Sequence, residues 1–113
     1  MNIKKKILSL YEKNSKEVLK SFTLLLSSTF FDEELFLQKI QLFLNYNITL
    51  NSLHNGKTPL MYLCQNNSST KAIQLLLKYG ADKDIKSSEN KTAFEYASEN
   101  KSLQQDDIYW SLN

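Results

Sequence analysis

The sequence predicts an all-α fold, a solenoid of stacked helix-turn-helix units in a single domain over 1–113, and three observations carry that reading. The segment Ile40-Gln41-Leu42-Phe43-Leu44-Asn45-Tyr46-Asn47 recurs as Ile73-Gln74-Leu75-Leu76-Leu77-Lys78-Tyr79-Gly80, with five of eight positions identical and an offset of 33 (73 − 40). A second segment, Lys57-Thr58-Pro59-Leu60-Met61-Tyr62-Leu63, returns as Lys91-Thr92-Ala93-Phe94-Glu95-Tyr96-Ala97 at an offset of 34 (92 − 58). Repeats of this period are the signature of solenoids. Composition agrees: 19 Leu against 2 Gly and 1 Pro suits helices and disfavours sheets rich in tight turns.

Each element follows from local signals. Ile3, Ile7 and Leu10 predict a short amphipathic helix at the N-terminus. Val18, Leu19, Phe22, Leu25 and Leu26 then fall on one face of a helix that Asn14-Ser15 can cap. Asp32-Glu33-Glu34 opens the next helix with acidic residues where the helix dipole favours them. Residues 1–33 read as atypical capping helices that cover one end of the stack, and 34–101 as the repeats proper.

In the central unit, Thr58-Pro59 is a helix start: the hydroxyl caps and Pro is pre-set for the first position. Leu60, Leu63 and Cys64 form a short apolar stripe, which Asn66-Asn67-Ser68-Ser69 breaks. A second helix runs from about Thr70 to Tyr79, and Gly80 supplies the left-handed residue past its end. Ala81 to Lys91 is polar. Asn90 holds the turn slot that Gly56 fills one unit earlier, and both residue types tolerate positive φ. The loop before Thr58 is one residue shorter than the loop before Thr92, counted from Asn51 and Asp84 (7 against 8). A final capping helix over 102–113 buries Ile108, Tyr109, Trp110 and Leu112, with Trp110 sealing the core.

Charge and composition exclude several functions. The chain is 42% hydrophobic and 23% charged with a net charge of +2, a globular profile with no call for a polyanion partner. All 14 cationic residues are Lys, and without Arg the bidentate reading of phosphate or guanine is lost, so nucleic acid is not an expected ligand. Lone Cys64 leaves no internal disulfide and no Cys-based zinc site. The N-terminal Lys4-Lys5-Lys6 stands before an apolar stretch too short for a signal peptide, and no run reaches membrane-spanning length. The expectation is a cytoplasmic protein, in its own cell or delivered to a host cytosol, with no membrane partner.

No residue set reads as catalytic, metal-binding or cofactor-binding. His54 stands alone at a loop tip, and Cys64 reads as a small apolar core filler. The pairs Glu33-Glu34 and Asp106-Asp107 are adjacent in helices, so their carboxylates diverge. The two glycines are isolated and form no phosphate loop.

Gly56-Lys57-Thr58-Pro59-Leu60, followed by Ala72-Ile73-Gln74-Leu75-Leu76-Leu77-Lys78-Tyr79-Gly80-Ala81-Asp82, resembles the ankyrin repeat, strongly over 51–100 and moderately over 34–51. The chain departs from that pattern at Met61 and Glu95, which replace the usual His, and at Leu63 and Cys64, which fill normally small positions. With the helices read upstream and at the C-terminus, the array comes to about three helix pairs plus an N-terminal helix. The resemblance implies a non-catalytic module that binds a protein through its loop tips and concave face.

Carried over by position, that surface comprises Leu53, His54, Asn55, Lys57, Met61, Tyr62, Gln65 and Asn66. From the next unit it takes Lys86, Ser87, Ser88, Glu89, Lys91, Glu95, Tyr96 and Glu99. Tyr62 and Tyr96 occupy one slot of successive units and are expected side by side, as a partner-facing pair. The setting stays open between a bacterial immunity or adaptor protein and a host-directed effector, acting as a monomer or partner-bound heteromer. The rival is a structural, self-assembling repeat protein.

Overall fold

The computed structural model describes residues 15–30, 32–46 and 48–113. They form six helices: α1 (Ser15–Leu26), α2 (Glu33–Leu44), α3 (Pro59–Asn66), α4 (Thr70–Lys78), α5 (Ala93–Glu99) and α6 (Asp107–Ser111). Among the described residues there is no strand, only an isolated bridge between His54 and Lys57. The helix expected through Ile3, Ile7 and Leu10, and the cap expected at Asn14, lie outside the described residues.

Five helices start on a side-chain cap. Asp32, Thr58, Ser69, Thr92 and Asp106 each accept from the backbone N–H three residues on. Each cap satisfies a donor that the helix leaves orphaned. Where the family carries His, Met61 Sδ accepts from the Thr58 N–H, and Glu95 does the same for Thr92. α4 ends as expected: Gly80 has φ +98°, with Ala81 N–H donating to Leu76 O and Gly80 N–H to Leu77 O, a Schellman motif.

α1 pairs with α2 and α3 with α4, α6 meets α5 through the Tyr109 and Phe94 rings, and the units stack into two layers. α3 packs between α1 and α5 in the inner layer, and α4 between α2 and α6 in the outer one. The core between them holds Phe22 and Leu26 of α1, Ile40 of α2, Leu60, Leu63 and Cys64 of α3, and Ile73 and Leu76 of α4. The Phe22 and Phe43 rings meet at 5.3 Å. Cys64 is filler as expected, and burial pushes its thiol up to about 12.

Side-chain amides tie the units together. Asn67 Nδ2 donates to Leu26 O and Ser28 O at the previous inter-helix turn, and Asn100 Nδ2 donates to Cys64 O and Asn67 O. Asn51 bridges to the next unit through Gly80 O and the Asp82 N–H. On the outer layer the N-terminus of α4 is held from both sides: Ser69 Oγ donates to Glu33, and Thr70 Oγ1 to Asp106.

The last helix departs from expectation. It begins at Asp107 rather than near Ser102, because Asn100 and Leu103 close a turn and Asp106 provides the cap. Tyr109 and Leu112, three residues apart, share the inward face, and Trp110 is left 53% exposed. Trp110 therefore does not seal the core; it lies over Phe94 and Tyr109 from outside.

Candidate protein-binding surface

Two hairpin-like tips stand before the inner helices α3 and α5. In the first, His54 and Lys57 exchange backbone hydrogen bonds around Asn55-Gly56, both at positive φ (52° and 87°). These are the signs required by a two-residue hairpin of the I′ type. In the second, the Ser87 N–H donates to Lys91 O around the three residues Ser88-Glu89-Asn90, with Asn90 at φ 63°. The extra residue seen in the sequence is the difference between these two loops. The tips touch: the Ser88 N–H donates to Gly56 O at 2.9 Å.

Each inner helix sends a tyrosine back to its own tip. Tyr62 OH donates to His54 O at 2.6 Å, and Tyr96 OH to Ser87 Oγ at 2.9 Å. The rings lie near one another as expected, both about 5.5 Å from the Lys57 ammonium (5.5 and 5.4 Å). Their exposure is unequal. Tyr62 is half-buried, with its phenol pKa raised by burial and then by Tyr96. Tyr96 is 2% exposed.

Three expected contact residues, Tyr96, Met61 and Ser87, are therefore corrected. Tyr96 is a core residue, because the small neighbours Ala93 and Ala97 let α5 approach α3 closely and close over the ring. Met61 is also core, at 1% exposure, because its thioether turns back onto the Thr58 N–H instead of outward. Ser87 is buried too, its hydroxyl spent on Tyr96 and on the N–H groups of Glu89 and Lys91.

The remaining residues do reach the surface. Leu53, Asn55, Gln65, Asn66, Lys86, Ser88, Glu89, Glu95 and Glu99 are exposed, and His54, Lys57, Tyr62 and Lys91 half-exposed. Leu53, an apolar side chain 47% open to water, stands at the base of the first tip.

Sequence reasoning missed the polar rungs on this face. Lys57 Nζ donates to Gln65 Oε1 at 2.7 Å, and Lys91 Nζ to Glu99 Oε1 at 2.9 Å. Both join residues eight apart, and lysine stands at both first positions, so the repeat alignment held the signal. The Asn67 and Asn100 ties, 33 residues apart, were visible in the same way.

On the opposite layer an open groove of about 780 Å3 runs between α2 and α4, with Leu37 and Leu75 among Gln38, Gln41 and Gln74. No described helix is long and apolar enough to cross a membrane. Among the described residues no group of His, Cys, Asp and Glu is placed to hold a metal ion.

A stack of helix pairs with a turn before each inner helix, tied at a period near 33, defines a class: repeat proteins that offer a surface rather than a cavity. The family model for ankyrin repeats (3 copies) matches residues 12–110, and the chain belongs to that family. Its members are generally protein–protein interaction modules and typically non-catalytic. Neither a curated protein nor a solved structure matches the chain.

Proposed function

We propose that this chain is a non-catalytic module that binds one protein partner through its two loop tips and the inner-helix face between them. The observation that supports this most is the ordering of the exposed groups. Tyr62 is anchored to the His54 carbonyl and Lys57 to Gln65, and Leu53, next to His54 in the chain, is open to water. Aromatic and apolar groups already held in place lose little entropy on binding and make effective hot spots. A partner would also stabilise so small an array by linkage. If the partner is a toxin or client of the same cell, the role is that of an immunity or adaptor protein; if it is a host factor, that of an effector.

The test is affinity purification with mass spectrometry, followed by binding to variants. Leu53→Ser with Tyr62→Ala should lose about 2 kcal/mol of binding, some thirtyfold in affinity, while retaining helicity. Gln38→Ala with Gln74→Ala in the outer groove should bind normally. The reverse pattern would move the interface to the outer layer.

A second reading, assembly of copies through the C-terminal end, has one observation in its favour: the exposed Trp110 over Phe94. Light scattering decides it, since a monomer at high concentration removes that reading.

A further inference from the structure

The two lysines of the inner face both lie over tyrosine rings, Lys91 over Tyr96 at 5.5 Å, but their hydrogen-bond partners differ in charge. Lys91 meets a carboxylate, Glu99, in an ion pair of 2.9 Å. Lys57 meets only the neutral amide oxygen of Gln65, and among the described residues no carboxylate lies within ion-pair distance of its ammonium. The positive charge of the last unit is cancelled inside that unit. The charge of the central unit is not.

The uncancelled ammonium is nonetheless ordered. It lies 5.5 Å from the Tyr62 ring centre and 5.4 Å from that of Tyr96, and both phenols are themselves fixed by hydrogen bonds to their loops. A ring face attracts a cation through its quadrupole and carries no net charge to neutralise it. Lysine ordinarily gives up about 2 kcal/mol of rotamer freedom when immobilised, and here much of that loss has occurred within the free chain. An anion that arrives finds a located and uncompensated charge.

Resting on the interaction reading above, we propose that Lys57 is the seat for a carboxylate side chain of the protein partner. The partner presents an aspartate or glutamate to the middle of the inner face, next to apolar side chains that meet Leu53 and Tyr62. Steering by that charge selects acidic segments and makes association salt-dependent. Gln65 is the residue that keeps the seat open, since Glu at this position would reproduce the closed rung of Lys91 and Glu99.

The experiment selects displayed random twelve-residue peptides on the full chain and measures the recovered peptides against variants by fluorescence anisotropy. Peptides that depend on Tyr62 and Leu53 should carry an Asp or Glu whose replacement by Asn or Gln weakens binding roughly tenfold or more. That loss should vanish on Lys57→Gln and on Gln65→Glu, the latter with an unchanged circular dichroism spectrum. Tyr62-dependent peptides that bind wild type and Gln65→Glu equally, with or without their acidic residue, would overturn the seat and leave the interaction surface standing. A pool that yields no peptide dependent on Tyr62 or Leu53 would overturn the surface and the seat together.

Discussion

The central and last units are built on one plan, and their differences show how a repeat divides structure from recognition. Both carry lysine, a capping threonine and tyrosine at matching places, and both return the tyrosine hydroxyl to the loop above. In the last unit Ala93 and Ala97 allow close packing, so Tyr96 is interior, and Glu99 cancels the charge of Lys91. In the central unit Tyr62 is partly open and Lys57 keeps its charge. One unit closes its own surface and the other leaves it available.

The largest test of that contrast is truncation of the two rings. Tyr96→Ala should cost about 3–5 kcal/mol, as for other buried aromatics, enough to unfold much of so small an array at room temperature. Tyr62→Ala should cost about 1 kcal/mol and leave the helices intact. Urea unfolding followed by circular dichroism separates them, and equal losses would abolish the distinction between the units.

The asparagine ties come next. Asn67 is fully enclosed and joins two carbonyls of the first unit, whereas Asn100 is partly open. Asn67→Ala strands the buried Leu26 carbonyl and should cost about 2–3 kcal/mol; Asn100→Ala, at a partly open site, should cost about 1–2 kcal/mol. Reversal of that order in denaturant midpoints would mean that the α1–α3 contact is the weaker junction.

The loop tips give the smallest effects. Asn90→Gly, at φ 63°, should change stability by less than about 0.5 kcal/mol, while Asn90→Val should cost about 1 kcal/mol or more. Gly56→Ala meets two obstacles, a φ of 87° and the Ser88 side chain lying where its Cβ would be, and should cost about 1–2 kcal/mol. Thermal melts of the three variants rank the two loops; an equal response to Gly and Val at position 90 would show that its backbone is not held left-handed in solution.

Much of this molecule could be read from residue order alone, for a physical reason: signals that act within a few residues need no tertiary partner. Thr58-Pro59 as a helix start, Gly80 as a stop, Asn90 as a left-handed turn residue and the period near 33 all belong to that kind. Exposure is different, because it depends on what the neighbouring element brings. Tyr62 and Tyr96 share a slot in the repeat, yet only packing of α5 on α3 decides that one is open and the other shut. Met61 turned inward because its sulfur found the Thr58 N–H, and Trp110 turned outward because Tyr109 and Leu112, three residues apart, share the buried face and leave their neighbour on another side. The charge left on Lys57 is likewise a tertiary fact. Lysines stand at 57 and 91 alike, and only the folded rungs show which of them meets a carboxylate.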